Sequence, residues 1–266
     1  MIAVLFVSAA QKAICVEWFK KLYDNDFKKM EQSMVNDTLL ANFIEIELSD
    51  EQIIEFYNIN NGKRLDSIII PSTDYSRMIY NAENHTLVFI YPEGKIDIYD
   101  LHTFKNSNSY QISNVNLKIY SNLRLVPDIS KLYCYHAHEL RCKIIDIKED
   151  SVISDTLFNI NPALLRFSYL AKSGNEFDIH LVYNEKIEIY DPASLALKKT
   201  LDVTMDCDDR PALSNDDQRL IYTKNDTTIK SIDLSDGSIA YEIDTPGEFY
   251  RYKETFDGKH LLVLRW

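Results

Sequence analysis

The chain has 266 residues, 45% of them hydrophobic and 26% charged, which excludes a disordered polymer and leaves ample side-chain volume for a core. Its 29 Lys and Arg stand against 41 Asp and Glu, and the net charge of −12 repels polyanions, so nucleic acid and anionic membranes are excluded as main partners and a protein with a basic patch is expected. The four cysteines, Cys15, Cys134, Cys142 and Cys207, are too few and too irregular for a disulfide framework, which points to a reducing compartment and to the cytoplasm.

The opening run Met1-Ile-Ala-Val-Leu-Phe-Val-Ser-Ala-Ala10 has the length of a signal-peptide apolar core but lacks its basic leader, and it reads as a strand. It meets Gln11 and Lys12 well before the roughly 20 apolar residues that a membrane span needs. Residues 11 to 42 contain no Gly or Pro and place Phe19, Leu22, Phe27 and Met30 near helical spacing, so a helix competes with strands there.

Further along, short alternating strands that end in an acid or amide recur: Ile53-Ile-Glu-Phe-Tyr-Asn58, Lys95-Ile-Asp-Ile-Tyr-Asp100, Cys142-Lys-Ile-Ile-Asp146, Lys186-Ile-Glu-Ile-Tyr-Asp191 and Thr228-Ile-Lys-Ser-Ile-Asp233. Their last residues are spaced 42, 46, 45 and 42 positions apart, a period that marks a repeat architecture. Ala13-Ile-Cys-Val-Glu-Trp-Phe-Lys20 is a weaker copy without the terminal acid. Each copy follows a β-rich run, as in Thr86–Tyr91, Lys131–Tyr135, Phe177–Tyr183 and Arg219–Tyr222, so the pairs read as hairpins. A further apolar run follows each hairpin, such as Leu65–Ile70, Val152–Phe158 and Ile239–Ile243. With only six glycines and seven prolines, the turns must rely on Asn, Asp and Ser. The triplets at Asn36, Asn84 and Asn225 match the glycosylation pattern, for which chance suffices in so Asn-rich a chain.

This order of turn, strand, hairpin strand ending in Tyr-Asp or Ile-Asp, and outer strand resembles the WD-repeat pattern from about residue 13 to the end, although no Gly-His dipeptide precedes any copy and only Trp18 stands for the family's Trp. The resemblance implies one all-β domain over 1–266, a β-propeller of six or seven four-stranded blades, with repeats near 13–58, 59–100, 101–146, 147–191 and 192–233 and a partial one at 234–266. An incomplete closing blade, shared between the two ends, or a fragment of a larger propeller would follow from the partial copy. It also implies a non-enzymatic platform for protein partners, with no cofactor, working as a monomer or within a larger complex.

The candidate chemistry is sparse. Cys134, His136, His138 and Cys142 share strand parity, and a hairpin turning near 137–139 would set both thiols on one face beside an imidazole, a donor set that suits zinc at about 2.0–2.3 Å. A buried Cys, however, ordinarily acts as a small hydrophobe, and the spacing matches no established zinc pattern. Asp202, Asp206, Asp208, Asp209, Asp216 and Asp217 offer hard oxygens for calcium but lack the loop Gly and terminal Glu, so a solvated loop is the favoured reading. Asp100, Asp146, Asp191 and Asp233 recur at one blade position, which points to turn caps rather than catalysis. Among the 17 tyrosines, Tyr99 and Tyr190 belong to the repeat, while Tyr120, Tyr169, Tyr222, Tyr250 and Tyr252 are weighed as binding anchors against core positions. No Gly-x-Ser-x-Gly elbow, Gly-rich phosphate loop or His-Glu-x-x-His segment occurs. The rival reading, a propeller enzyme of metal-dependent hydrolase or quinone-dependent dehydrogenase type, needs ligands recurring near a central channel, whereas His85, His102, His136, His138, His180 and His260 share no blade position.

Overall fold

The computed structural model describes residues 30–34, 38–45, 52–58, 60–71, 77–81, 83–205, 211–214, 217–224, 227–244, 251–254 and 261–264. Their strands form five four-stranded antiparallel sheets and one two-stranded sheet. Blade 1 holds β1 (Met30–Met34), β2 (Leu39–Glu45), β3 (Gln52–Asn58) and β4 (Arg64–Ile70). Blade 2 holds β5 (Arg77–Asn81), β6 (Thr86–Ile90), β7 (Lys95–Asp100) and β8 (Lys105–Gln111). Blade 3 follows with β9 (Asn122–Leu125), β10 (Lys131–His136), β11 (Arg141–Asp146) and β12 (Ser151–Leu157), and blade 4 with β13 (Phe167–Ser173), β14 (Glu176–Val182), β15 (Lys186–Tyr190) and β16 (Leu197–Asp202). Blade 5 holds β17 (Ala212–Leu213), β18 (Arg219–Lys224), β19 (Thr228–Asp233) and β20 (Ile239–Asp244), and the hairpin of β21 (Arg251–Glu254) and β22 (Leu261–Leu264) completes the list. In every blade the strands pair in chain order, the arrangement of a β-propeller. The chain divides into two compact units, Met1–Tyr110 and Gln111–Trp266.

One device repeats at the third strand of the blades. The acid or amide that ends it accepts backbone N–H bonds from the turn that follows: Asp100 Oδ1 from His102 and Thr103, Asp146 Oδ1 from Lys148 and Glu149, Asp191 Oδ1 from Ala193 and Ser194, Asp233 Oδ1 from Ser235, and Asn58 Oδ1 from Asn60. Four residues after each of these positions the backbone turns left-handed, at Gly62, Phe104, Asp150, Leu195 and Gly237. A non-glycine residue there costs about 1–2 kcal/mol, so something must offset it. Phe104 stacks 5.1 Å from Phe56, Leu195 packs on the core of blades 3 and 4, and Asp150 accepts the Ser113 N–H at 2.7 Å. At Gly237 the constraint is doubled, because a Cβ would also lie 3.2 Å from the Asp202 carbonyl. The outer strand then enters through a bulge, one or two residues before the capping position, at Phe56/Tyr57, Ile144/Ile145, Ile189/Tyr190 and Ser231/Ile232.

The core lies between blade faces. In the first unit Leu39, Ala41, Ile54, Phe56 and Ile68 of blade 1 meet Leu87, Phe89, Tyr91 and Tyr99 of blade 2. In the second, Tyr133, Tyr135, Cys142 and Ile144 of blade 3 meet Leu170, Phe177, Ile179 and Leu181 of blade 4. The other face of blade 4 sends Tyr169, Ala171, Val182, Ile187 and Ile189 against Leu220, Tyr222 and Ile232 of blade 5. The pleat of β13 shows how this arises: Leu170 goes to one core while its neighbours Tyr169 and Ala171 go to the other. Each fully buried aliphatic or aromatic side chain contributes about 1.5–3 kcal/mol.

Three expectations change. The blades number five, not six or seven, because β21 and β22 pair with each other alone among the described residues, while the weak copy Ala13–Lys20 lies outside them. The helix weighed for residues 11–42 gives way to β1 and β2 where the chain is described, with Met30 opposite Ile44 and Met34 opposite Leu40. Sheet boundaries also fall one strand later than the repeat frame ending at each acid, since β4, β12, β16 and β20 each pair with the strand before them.

Asp146→Ala removes two N–H caps and is expected to lower unfolding free energy by about 1 kcal/mol, with Asp146→Asn costing less because the amide oxygen still accepts. Urea denaturation of the three proteins checks this ordering, and equal midpoints would contradict the capping role.

Candidate functional site: outer blade edges and a buried ionic node

The sequence-weighed zinc set does not assemble. The β10–β11 register pairs Tyr135 with Cys142 and Cys134 with Lys143, so the two thiols occupy opposite faces of the sheet. The turn spans residues 137 to 140, longer than the one that would have set them opposite each other. Burial pushes the Cys142 thiol up to about 12 and Cys134 higher still, which keeps both protonated and packed as small hydrophobes. His136 pairs in register with Arg141, and its Nδ1 accepts the Glu139 N–H, while His138 sits exposed in the turn. Among the described residues no group of three or more His, Cys, Asp or Glu is placed to hold a metal ion, and no helix is long and apolar enough to cross a membrane.

Of the acidic stretch, Asp206, Asp208, Asp209 and Asp216 lie outside the described residues, and Asp202 is exposed at the end of β16. Asp217 departs from the solvated-loop expectation. It is buried, in left-handed backbone, and its carboxylate joins three blades: Oδ1 takes the Arg124 guanidinium of blade 3 at 3.0 Å, and Oδ2 takes the Lys172 N–H of blade 4 at 3.1 Å. Arg124 also reaches the Leu170 carbonyl at 3.4 Å and lies 5.9 Å over the Phe177 ring. Removing Asp217 leaves the Arg124 guanidinium, 26% exposed, without its carboxylate and the Lys172 N–H without its acceptor.

Blades 2 and 4 share a second polar device, which the near-identical hexapeptides at 95–100 and 186–191 announce. Lys95 donates to Asp97 at 2.8 Å and stands 5.4 Å over the Tyr91 ring. Lys186 donates to Glu188 at 2.6 Å and stands 5.0 Å over Tyr183, and Glu188 also accepts the Tyr190 hydroxyl at 2.9 Å. In blade 2, His85 and His102 stack with ring centres 4.4 Å apart, and the Tyr80 hydroxyl lies 3.1 Å from His85 Nδ1. Burial and His102 together hold the His85 imidazole below its ordinary range. The capping carboxyl of Asp100 beside them is held low by the His102 and Thr103 N–H groups. Of the tyrosines weighed as anchors, Tyr169 and Tyr222 are fully buried between blades 4 and 5, Tyr120 is half-buried, and Tyr250 together with the Tyr252 side chain lies outside the described residues.

His180 pairs across β13–β14 with Tyr169, the two rings 5.2 Å apart, and its Nδ1 is buried without a hydrogen-bond partner. Desolvation pulls its imidazole down to about 4, against a smaller opposing pull from Asp178. It is a core residue held neutral.

Most of the exposed large aliphatic side chains among the described residues, Ile119 and Leu164 apart, lie on the outer strands, each with one side unpaired in its sheet. Their chemistry differs from blade to blade. Exposed β8 is all polar and opens with Lys105, and β16 carries Lys198 and Lys199. The outer strand of blade 1 exposes Leu65 and Ile69 but also Arg64 and Asp66. In blade 5, β20 exposes Ile239 (57%) and Ile243 (42%) with Glu242 and Asp244, and no basic residue lies on it. Finally, β12 exposes Val152, Ile153 and Leu157 around a single charge, Asp155.

No family model matches the chain, and no curated protein matches it, so the propeller arrangement of the blades stands on their pairing and the WD-repeat assignment has no family match behind it.

Two outcomes follow from the buried groups. Asp217→Ala is expected to lower unfolding free energy by about 3 kcal/mol in urea denaturation, and a loss within about 0.5 kcal/mol would show that the node contributes nothing. For His180, the unfolded chain takes up a proton below about pH 6.5 that the folded chain refuses until about pH 4, so its contribution is fully present above 6.5 and is lost as pH falls through that window, by roughly 3 kcal/mol in total. His180→Phe should flatten the stability profile between these pH values relative to the parent.

Proposed function

We propose that the protein is a non-enzymatic, cytoplasmic interaction platform of WD-repeat-like type, and that its partner is a protein with a basic patch. The observation that carries this reading is the outer strand of blade 5, where Ile239 and Ile243 stand exposed beside Glu242 and Asp244. Asp233 at the end of β19 and Asp236 of the turn that follows extend the same sign; among the described residues Lys230 pairs with Glu242 at 3.4 Å and is itself largely covered, and Lys199 acts on Asp236. Exposed aliphatic side chains rimmed by one sign of charge favour a partner that supplies apolar contact and opposite charge together. A net charge of −12 adds long-range attraction for such a surface.

The repeated acids support the same reading from the other side. Asp100, Asp146, Asp191 and Asp233 spend their oxygens on turn N–H groups, and the ionic node at Asp217 is closed by Arg124 and the Lys172 N–H, so these carboxylates serve to hold loops and blades. Loops fixed in this way present a rigid surface, which lowers the ordering cost of association.

The test is affinity capture from native extract with the parent chain and with a Glu242→Lys/Asp244→Lys variant, each also subjected to elemental analysis. A protein retained by the parent and lost from the variant, with sensitivity to salt, is the expected result. Equal retention by both would sink the role of β20, and a stoichiometric metal with turnover of a small substrate would sink the platform itself.

A further inference from the structure

We propose that blade 2 carries a pH-operated clasp: the β5–β6 and β7–β8 turns stay joined while the stacked rings of His85 and His102 hold at most one proton, and a second proton parts them. The clasp uses none of the residues of the acidic edge of blade 5, and it stands independently of the basic partner.

The joint itself recurs, so the blades provide an internal comparison. The residue after the capping acid donates its N–H to the carbonyl of the residue just before the second strand: Ile147 to Ser130 at 2.9 Å in blade 3, Leu234 to Gln218 at 2.9 Å in blade 5, and Leu101 to His85 at 3.1 Å in blade 2. Blade 4 has Pro192 at that place, which carries no N–H. Two positions after the cap stand Lys148, Ala193 and Ser235 in blades 3, 4 and 5, and His102 in blade 2. Among these four, only blade 2 places an imidazole on each side of the joint, with ring centres 4.4 Å apart and planes tilted by 36°.

Backbone strain gives the stack its weight. His85 and Phe104 are both left-handed, at φ 50° and 52°, which is unfavourable for any residue but glycine. Phe104 is offset by Phe56 of blade 1, and His85 by the His102 ring, by the edge of the Tyr80 ring at 6.0 Å and by the Tyr80 hydroxyl 3.1 Å from Nδ1. That hydroxyl donates to a neutral Nδ1 and accepts from a protonated one, so it serves both states. The stack does not, because two imidazolium rings in contact repel each other. Once they part, the left-handed turn loses a support, the His85 carbonyl leaves the Leu101 N–H, and the turn that presents Phe104 to blade 1 is loosened.

The surrounding charges favour the first proton and not the second. Asp100 acts on both rings, but its Oδ1 already takes the His102 and Thr103 N–H groups, and one carboxylate balances one cation. Of the other acids on the packed strands, Asp97 is taken by Lys95 and Ser109, Glu55 by Tyr57 and Arg64, and Asp66 by the Ser67 N–H. Glu83 and Lys105, beside the two turns, are exposed and of opposite sign, and Arg77 lies at the other end of β5. Burial first and His102 second hold the His85 imidazole below its ordinary 6.5, so the closed clasp refuses a proton that the open one accepts. Its contribution is fully present above about pH 6.5 and is lost as pH falls below that value.

The test is amide hydrogen exchange of the full chain, followed by NMR between about pH 7.5 and about pH 5 and corrected for intrinsic exchange. Leu101 should lose about tenfold of its protection relative to amides within β6 of the same blade, while Ile147 and Leu234 should keep theirs relative to their own second strands. Those references also remove the general loss of stability that His180 brings in the same range. His102→Gln, at an exposed position, should abolish the dependence, and so should His85→Asn, which keeps a residue tolerant of left-handed backbone. The imidazole Cε1 signals of the parent should move in two separate steps, as coupled sites do. A Leu101 amide that follows its references at every pH overturns the proposal, as does a dependence that survives both substitutions, or two rings that titrate together in one step.

Discussion

Blade 4 has two apolar faces, and its neighbours in the chain, blades 3 and 5, cover them. Blade 4 makes the constraint visible, because Leu170, Ile179 and Leu181 face blade 3 while Tyr169, Ile187 and Ile189 face blade 5. Neither face would stay dry in an isolated four-stranded sheet, so the stability of one blade is inseparable from the next. Polar links across the same seams fix the blades in register: the Thr156 hydroxyl donates to the Pro192 carbonyl at 2.8 Å, and Arg124 reaches from β9 to Asp217 at the entry to β18.

The turns follow from the scarcity of glycine. A blade needs a left-handed residue four positions after its capping acid, and glycine fills that position in only two of five cases. Where Phe104, Asp150 and Leu195 stand instead, each has a contact that offsets the strain, so these residues tie loop conformation to core packing. The capping carboxylate does the rest by drawing successive N–H groups toward one oxygen. The blades can therefore vary in loop sequence while keeping the same entry into the outer strand.

Surface chemistry is distributed on top of this common frame. The outer strands occupy equivalent places in their blades and need only keep one side in register with the third strand, which leaves the exposed side free to differ. Acidic β20, lysine-bearing β16 and polar β8 accordingly differ on their exposed side while sharing one place in the blade.

The sequence by itself determined the all-β class, the repeat and the third strands, because alternation and a terminal acid are local signals that survive in Lys95–Asp100 and Lys186–Asp191. It also pointed to the capping position of Asp100, Asp146, Asp191 and Asp233, since a cap bonds to residues two or three positions away. It missed the first strands, such as the two-residue Ala212–Leu213 and the four-residue Asn122–Leu125, which are too short to show a period. Only the tertiary structure decided that Cys134 and Cys142 face apart, because one residue of turn length inverts the parity of a whole strand. Only it, too, moved Asp217 from an acidic loop into a buried pair with Arg124, 93 residues earlier, and left His180 neutral in the core. Long-range pairing of charges and the burial that shifts their protonation depend on which blades meet, and no local pattern records that.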